Sequence, residues 1–382
     1  MPQPFISLEK IKYVQIDFTN KCNLLCPQCA RVVNGQINPR LNLTELNWEL
    51  FKKLFTKKFM HQVEHVYFNG NYGDPVAAKN ILPALQYLKK GSVRKCQLST
   101  NGSLRDVHWW RDLAEILDGK MDEVVFSIDG LEDTNHLYRV NSQFSKIMKN
   151  AKTYIESGGR ARWDYLVFEH NYHQVEEARN LAKKMGFRSF QVKKTTRFIN
   201  SNHLRAQRPG SHTTVFVRGQ NSHKISSPSN KSQSGEAGKF NQLVAKYGTW
   251  KNYLNQTPIH CKFKSWDGIY VDFDGDVWPC GWLASTKYSH NPKNDQIAQL
   301  QKVFVNYNEG FLNLKNFKLK EIINHPWFQK DLPKSWESSL NSPNPKLLTC
   351  GRTCGSEFEY SSSAEVNKTS YRLDKEAAVE SV

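Results

Sequence analysis

The sequence predicts an α/β fold: a partial (β/α)6, TIM-like barrel followed by a small C-terminal unit built from a β-hairpin and helices. Two observations support this fold class. Six apolar segments typical of strands alternate with five amphipathic segments typical of helices in the first half of the chain, and such β-α repeats form parallel sheets. A polar, turn-rich stretch then precedes a second apolar region.

Each predicted strand is a short apolar run, and each predicted helix has apolar residues at helical spacing. The strands are expected at 13–18, 64–69, 94–99, 123–128, 161–168 and 188–193. The helices are expected at 44–57, 77–90, 105–117, 143–157 and 172–186. Glycine commonly follows the last helical turn, as Gly186 does here. Active sites of parallel sheets lie at the carboxyl ends of the strands, so we expect the chemistry in the loops that follow them.

The chain of 382 residues divides into four predicted regions. They are a barrel at 1–195, a basic and partly low-complexity insertion or linker at 196–258, a second folded unit at 259–358, and a disordered tail at 359–382. Within the second unit, two short apolar runs flank Asp274-Gly275. That dipeptide between two strands is a strong hairpin signal.

The net charge of +17 is unevenly distributed. Residues 191–260 contain 11 Lys or Arg and a single acid, Glu236. Such a segment can attract phosphates, nucleic acid or acidic peptides, although a solvated insertion is the simpler interpretation. The chain contains no run of 18 apolar residues, and its first ten residues lack the layout of a signal peptide. We therefore expect a cytoplasmic protein without a membrane partner, whose eight cysteines serve as ligands rather than in disulfides.

Three cysteines lie close together in the loop after the first strand. They are Cys22, Cys26 and Cys29, with the spacing C-x3-C-x2-C. Thiolates are the usual protein ligands of iron–sulfur clusters. Three of them would leave one iron of a cubic cluster open to a small molecule, which is typical of an enzyme. Zinc is the alternative, although a structural zinc site normally has four protein ligands.

This triplet, in the first strand-to-helix loop, resembles that of the radical S-adenosylmethionine (SAM) enzymes. The resemblance implies a [4Fe-4S] cluster whose open iron binds SAM. It also implies reductive cleavage of SAM to a 5′-deoxyadenosyl radical that abstracts hydrogen from the substrate, with flavodoxin or ferredoxin as an electron donor. One position departs from the family, because the residue before the third cysteine is usually aromatic and here is Gln28.

Two further family motifs follow the second and third strands. Gly73, Asp74 and Pro75 resemble the end of a Gly-Gly-Glu-Pro turn that holds the amino group of SAM. Glycine lets the backbone approach a ligand closely, and a carboxylate accepts from an ammonium group. The segment that includes Asn101 and Gly102 is similar to the Thr-Asn-Gly segment that borders the SAM pocket. An ordinary Gly-Asp-Pro turn is the alternative for the first motif.

The end of the fourth strand carries another resemblance. Ser127-Ile-Asp129-Gly130, followed by Arg139, is similar to a Ser-Ile-Asp-Gly…Arg segment of the subfamily with extra clusters. The resemblance implies that Ser127 and Asp129 lie near the SAM ribose or the substrate. It also implies that Arg139 pairs with the SAM carboxylate, for which a planar guanidinium is suited. A surface arginine is the alternative.

The catalytic residues are unknown at this stage, and three residues are candidates. Glu169 and His170 follow the fifth strand, at the expected catalytic end. Cys96 lies within the third strand and is most simply a small buried hydrophobe. In peptide epimerases of the superfamily a lone cysteine returns a hydrogen atom to the substrate radical, which makes Cys96 a candidate for that role.

Four other cysteines, Cys261, Cys280, Cys350 and Cys354, lie in the second unit. The predicted hairpin would bring the first two together. The arrangement resembles the twitch domain, a half-length version of the SPASM domain of radical SAM enzymes, and implies one auxiliary [4Fe-4S] cluster without a free iron. Such a cluster is thought to take an electron from the substrate radical. Zinc remains the alternative, since four cysteines also bind zinc.

Together these features predict an enzyme of the radical SAM type. Its expected substrate is a peptide or a small molecule, acidic or phosphorylated if it meets the basic insertion, and the expected outcome is oxidation or cross-linking. Two alternatives come from other classes. One is a nucleic-acid-modifying radical enzyme, suggested by the basic segment 191–260. The other is a non-catalytic metal-binding protein.

Overall fold

A computed structural model of the protein describes residues 4–194, 198, 212–215, 223–229, 237–290, 295–308, 310–358 and 370–373. The strands in these residues are β1 (Tyr13–Ile16), β2 (Val32–Val33), β3 (Gln36–Ile37), β4 (His65–Phe68), β5 (Lys95–Thr100), β6 (Glu123–Ser127), β7 (Ala161–Val167), β8 (Ser189–Lys194), β9 (His212–Val215), β10 (His223–Ser226), β11 (Gly268–Val271), β12 (Val277–Trp278) and β13 (Ser370–Arg372).

The α-helices in the same residues are α1 (Trp48–Leu54), α2 (Lys57–Gln62), α3 (Ile81–Lys90), α4 (Val107–Ile116), α5 (Asn135–Tyr138), α6 (Phe144–Glu156), α7 (Val175–Met185), α8 (Ala237–Tyr247), α9 (Trp250–Gln256), α10 (Lys262–Ser265), α11 (Gly281–Lys287), α12 (Asp295–Phe304), α13 (Leu319–Ile323), α14 (Leu332–Ser335) and α15 (Leu348–Cys354). Short 3-10 helices occupy Leu8–Lys10, Pro75–Ala77 and Tyr172–Gln174. A π-helical turn occupies Trp327–Asp331. None of the described helices is long and apolar enough to cross a membrane.

One nine-stranded sheet organises the molecule, in the order β12-β11-β1-β4-β5-β6-β7-β8-β13. The six strands from β1 to β8 in this order pair in parallel. They are the six strands that the sequence predicts, in the predicted order, with helices between them. The α/β class and the parallel sheet are therefore confirmed. Gly186 ends α7 with a left-handed φ of 86°, also as predicted.

The two faces of this sheet differ in polarity. On β1, Val14 and Ile16 are fully buried in the main hydrophobic core, whereas the alternating residues Tyr13 and Gln15 are only half-buried. The alternation follows from the two-residue period of a strand. The less buried face of the neighbouring strands carries charged groups, among them Arg162, whose Nη1 lies 3.0 Å from Glu123 Oε2 and whose Nε lies 2.8 Å from Asp164 Oδ1.

The predicted hairpin around Asp274-Gly275 is present as β11 and β12, which pair antiparallel. Gly275 adopts a left-handed φ of 89° in its turn. The hairpin nevertheless extends the main sheet, because β11 also pairs in parallel with β1. Gly268 permits this pairing, since a Cβ there would lie 2.7 Å from the Tyr13 ring. The sequence contains no local signal for a pairing between segments more than 250 residues apart.

Three further elements differ from the expectations. The helix expected at 44–57 is shorter, because α1 ends at Leu54 and Thr56 begins a separate helix, α2, by accepting a hydrogen bond from Phe59 N at 3.3 Å. In the predicted insertion, β9 and β10 form a hairpin, which α8 and α9 follow. In the predicted tail, β13 pairs antiparallel with β8, and the rest of 359–382 lies outside the described residues.

Candidate functional site

The cysteine triplet lies in the loop after β1, at the carboxyl end of the parallel strands. A buried arginine, Arg31, holds this loop in shape. Its Nε donates to Asn20 O at 3.0 Å, its Nη1 to Leu24 O at 3.0 Å, and its Nη2 to Cys22 O at 2.9 Å. Sequence reasoning missed Arg31, because nothing in the sequence distinguishes an arginine that binds its own loop from one on the surface.

The triplet faces an apolar environment. Cys26 is 8% exposed and packs with Tyr138, Phe168 and other apolar side chains, while Cys22 and Cys29 lie at the edge of this cluster. Burial, and next to it the nearby carboxylate of Asp74, raise the pKa of Cys22 to about 12. A metal ligand must lose its thiol proton, so metal binding at Cys22 would release that proton. Gln28, the departure from the family, is half-buried beside these cysteines.

The Gly73-Asp74 turn packs directly against the start of this loop. A Cβ on Gly73 would lie 2.2 Å from Thr19 O, so only glycine fits there. Asp74 is 4% exposed, and both of its carboxylate oxygens accept hydrogen bonds. Oδ1 accepts from Val76 N at 3.0 Å, and Oδ2 accepts from Asn101 N at 2.8 Å and from a threonine hydroxyl. Burial raises the pKa of Asp74, and these hydrogen bonds oppose that rise.

Asn101 connects the turn to the cysteines. Its side-chain amide lies 3.6 Å from Cys22 Sγ and donates to Asn23 Oδ1 at 3.2 Å. Its side-chain oxygen accepts a hydrogen bond from Ser103 N at 2.9 Å. Three segments that the sequence treats separately, the triplet, the Gly-Asp-Pro turn and the Thr-Asn-Gly segment, therefore form one hydrogen-bonded group at the ends of β1, β4 and β5.

Asp129 and Arg139 form a buried ion pair on the other side of the triplet. Arg139 Nε lies 2.6 Å from Asp129 Oδ2, and Asp129 Oδ1 accepts from Leu166 N at 2.8 Å. Burial lowers the pKa of Arg139, but Asp129 and the Cys26 thiol beside it raise that pKa more, so the guanidinium stays charged. The ion pair uses Nε of the guanidinium. Ser127 ends β6 half-buried.

The structure places the three catalytic candidates in different surroundings. Glu169 binds the loop after β10, where Ser229 Oγ donates to its Oε1 at 3.1 Å. His170 stacks on Phe168 at 5.4 Å, and neither of its buried ring nitrogens has a hydrogen-bond partner within the described residues. Burial lowers the pKa of His170 to about 4. Cys96 is fully buried in the main core beside the helices, as expected of a small buried hydrophobe.

The four cysteines of the second unit line one cavity. Backbone hydrogen bonds bring the first and last together, since His260 N donates to Cys354 O at 2.8 Å and Ser356 N to Pro258 O at 3.1 Å. Cys280 caps α11, where its Sγ accepts from Leu283 N at 3.5 Å. Burial raises the pKa of Cys280 to about 12. The cavity thus gathers the thiols of Cys261, Cys280, Cys350 and Cys354.

Across the described residues, no three His, Cys, Asp or Glu side chains lie close enough to share one metal ion. In a cubic iron–sulfur cluster each thiolate binds a different iron, so its protein ligands need not share one ion. The thiolate-only donor set at both places fits iron–sulfur clusters.

A polar group joins the two cysteine sites. Asn71, in the loop before Gly73, donates from its backbone N to Asp17 Oδ1 at 3.0 Å and from its side chain to the Tyr270 hydroxyl at 3.1 Å. Gly281, which follows Cys280, packs on the same two side chains, since a Cβ there would lie 2.9 Å from the Tyr270 ring and 3.1 Å from the Asn71 amide. The loop that touches the triplet therefore also touches the helix that begins next to Cys280.

Comparison with known proteins agrees with this geometry. Residues 16–182 match the family model of the Radical SAM superfamily. A curated protein of Methanocaldococcus jannaschii, "Probable GTP 3',8-cyclase", is 29% identical over 139 residues, which are 36% of this chain and 42% of that protein. The chain therefore matches less than half of this relative.

Several solved structures share the fold. The structure of anSMEcpe with bound AdoMet is 14% identical, with a TM-score of 0.51 over 97% of this chain and 94% of that one. Streptococcus suis SuiB is 15% identical, with a TM-score of 0.50 over 89% of this chain and 72% of SuiB. Its complex with S-adenosylmethionine matches over 61% of SuiB, with a TM-score of 0.46. The predicted partial barrel is confirmed by the first two likenesses.

Proposed function

We propose that the chain is an enzyme of the radical SAM type, since residues 16–182 match the Radical SAM family model, and that it abstracts hydrogen from a peptide or a small molecule. A [4Fe-4S] cluster with bound SAM would supply the chemistry, the reductive cleavage of SAM to methionine and a 5′-deoxyadenosyl radical. The observation that carries the proposal is the hydrogen-bonded group in which Asn101 contacts both Cys22 Sγ and the Asp74 carboxylate.

Cys22, Cys26 and Cys29 would hold this cluster. Arg31 keeps three carbonyls of their loop in place, because the chain turns around its guanidinium. The surrounding apolar side chains exclude water from the site. Exclusion of water matters for a radical reaction, because it prevents side reactions of reactive intermediates.

Arg139 is proposed to bind the carboxylate of SAM. Its Nε is already fixed by Asp129, so little side-chain conformational entropy would be lost when the terminal nitrogens bind a carboxylate. A charged guanidinium next to Cys26 also favours an anionic ligand at that position. For the amino group of SAM, we propose Gly73 backbone and Asp74, although Asp74 already accepts three hydrogen bonds within the protein. Ser127 and Asp129 would lie near the SAM ribose or the substrate.

Cys261, Cys280, Cys350 and Cys354 are proposed to hold an auxiliary [4Fe-4S] cluster in a twitch-type unit. The support is their position around one cavity. With four thiolate ligands such a cluster has no open iron, which suits electron transfer rather than substrate binding. The outcome of the reaction would then be an oxidation or a cross-link, with flavodoxin or ferredoxin as the electron donor to the first cluster.

Both substrate classes have support among proteins of similar sequence or fold. An anSMEcpe structure with a TM-score of 0.50 contains a bound peptide, Kp18Cys. The curated relative is named for GTP, a phosphorylated small molecule. The half-buried face of the sheet carries Arg162 paired with acids, so a substrate there would meet charged groups.

Anaerobic reconstitution tests the proposal. We expect about eight irons per chain, four for each cluster, and release of 5′-deoxyadenosine and methionine after addition of SAM and dithionite. The full-length variant with Cys22, Cys26 and Cys29 replaced by Ala should keep about four irons and release no 5′-deoxyadenosine. Absence of 5′-deoxyadenosine from the unsubstituted, iron-loaded protein would contradict the proposal.

The two alternatives make different predictions. A nucleic-acid-modifying enzyme would bind RNA or DNA with an affinity that falls steeply with salt. Part of the basic segment that suggests it lies outside the described residues. A non-catalytic zinc protein would contain zinc at both sites and no iron after metal analysis.

A further inference from the structure

Two donor groups in the wall of the cavity between the four cysteines have no oxygen or nitrogen acceptor within the described residues. The indole Nε1 of Trp336 and the hydroxyl of Thr353 are both buried. The hydroxyl has no hydrogen-bond partner within the described residues, and the indole N–H meets only the thiol of Cys350. Thr353 is 2% exposed. Burying a donor without an oxygen or nitrogen acceptor is unfavourable, so two such donors in one cavity require a physical explanation.

The indole of Trp336 is held in a fixed orientation. Its ring packs edge-on against Phe5, with centroids 6.3 Å apart, and Lys264 Nζ lies 5.9 Å from its ring centroid. In this orientation the indole N–H faces Cys350. The protein therefore directs one donor at a cysteine sulfur and provides no oxygen for it.

Thr349 provides a comparison on the same helix. It lies one helical turn before Thr353 and lines the same cavity, but its hydroxyl donates to Gln296 Oε1 at 2.5 Å. The fold thus satisfies one of two equivalent hydroxyls with a protein oxygen and leaves the other directed at the cavity. The difference indicates that Thr353 is reserved for an acceptor in the cavity.

We propose that Trp336 and Thr353 donate hydrogen bonds to the sulfurs of the cluster held by Cys261, Cys280, Cys350 and Cys354, and thereby raise its reduction potential. The inference rests on the proposed function, because it requires a cluster at this site. Hydrogen bonds to cluster sulfurs stabilise the reduced form more than the oxidised form, since the reduced cluster carries one more negative charge. Both residues would contact the cluster and tune its potential, and neither is proposed to contact the substrate.

The test measures the potential of the second cluster by itself. In full-length protein with Cys22, Cys26 and Cys29 replaced by Ala, an EPR-monitored redox titration reports only the second cluster. Trp336→Phe and Thr353→Val should each lower the ratio of reduced to oxidised cluster at a fixed potential by roughly tenfold, which is about 59 mV for a one-electron couple. Thr353→Ser should restore the ratio.

Two matched variants serve as controls. Thr349→Val removes a hydroxyl that already has a protein acceptor. Trp282→Phe removes an indole N–H from the same cavity wall that is not an unpaired buried group. Neither should change the potential. A second cluster with the same potential in Trp336→Phe, Thr353→Val and the unsubstituted protein would overturn the inference and leave the proposed function intact.

Failure of the proposed function is recognised separately. If the protein lacking the triplet binds no iron before any wall residue is changed, the second cluster itself is absent and the inference falls with it. If a wall variant loses its cluster, pulsed EPR of the unsubstituted cavity after exchange into D2O decides the question. We expect a strongly coupled exchangeable deuteron at the reduced cluster, and its absence would overturn the inference.

Discussion

The two cysteine sites of this protein are built in opposite ways. The first takes its three thiols from eight consecutive residues, 22–29, and one neighbouring arginine holds the loop. The second takes four thiols from segments around 261, 280 and 350–354, which only the tertiary fold brings together. A local site depends on its own loop, whereas an assembled site depends on every contact that aligns its segments. We therefore expect loss of stability to empty the second site before the first.

Exchange of the ligands gives the largest expected effect. Cys26→Ala should abolish 5′-deoxyadenosine formation, because an iron of the first cluster loses its ligand, while the second site keeps its iron. Cys280→Ala should lower the iron content of the second site and leave cleavage of SAM in place. Iron analysis and 5′-deoxyadenosine assays on both variants check this. If each variant lost both its 5′-deoxyadenosine formation and the iron of the second site, the two sites would not be independent.

Arg31→Ala should be the most damaging substitution outside the cysteines. It leaves the carbonyls of Asn20, Cys22 and Leu24 without their buried donor, for which we expect a loss of about 3 kcal/mol in the free energy of unfolding. Arg31→Lys should rescue little, since one ammonium cannot reach three carbonyls in a fork. Denaturant unfolding and iron content measure the effect.

Arg40 is the matched control for this substitution. It also donates to a backbone carbonyl, Ser289 O at 2.6 Å, but that hydrogen bond is exposed. Arg40→Ala should change stability by less than about 0.5 kcal/mol. If Arg31→Ala lost no more stability than Arg40→Ala and kept its first cluster, the expectation that the first site depends on the contacts of its own loop would be wrong.

The first site could be predicted from the sequence more completely than the second. Strand and helix periodicity and the motifs around Asp74 and Asn101 are local signals, and they located six strands and the end of the sheet at which the triplet lies. The loop contacts of Arg31 and the pairing of β11 with β1 depend on long-range geometry that no local pattern records. The same holds for Thr353, whose unpaired hydroxyl is distinguished from that of Thr349 only by the position of Gln296.

The polar group between the two sites predicts a pH dependence. Burial, and to a smaller extent the neighbouring Asp272 carboxylate, raise the pKa of Asp17 to about 7, against hydrogen bonds from Tyr270 and Asn71. The folded protein then binds a proton that the unfolded chain releases near pH 3.8. Asp17 therefore contributes stability below its ordinary pKa and loses it as pH rises to about 7. Urea unfolding of the metal-free chain should show a higher midpoint at pH 5 than at pH 8.

Asp17→Asn should reduce this difference between pH 5 and pH 8, because the amide does not titrate. It should not remove the difference, since burial also raises the pKa of Asp272 to about 7. The exposed Glu132 offers a control, and Glu132→Gln should leave the pH profile unchanged. An unaltered profile in Asp17→Asn would show that Asp17 is ionised in the folded protein, contrary to the expectation from its burial.

The smallest expected effect comes from alanine at two glycines, and it distinguishes backbone strain from a displacement of the second cysteine site. Gly275 and Gly158 have φ values of 89° and 90°, so alanine at either position should cost about 1 kcal/mol in backbone energy. A Cβ on Gly275 would also lie 2.9 Å from Leu50 Cδ1, whereas a Cβ on Gly158 would meet no atom within 4 Å. Gly275 turns the hairpin that leads to Cys280, and Gly158 lies in the loop before β7. Both variants should lower the unfolding midpoint, but only Gly275→Ala should lower the iron content of the second site. Equal iron content in the two variants would mean that the second site tolerates a displaced hairpin. Its assembly would then depend less on the surrounding fold than the wide separation of its cysteines in the sequence implies.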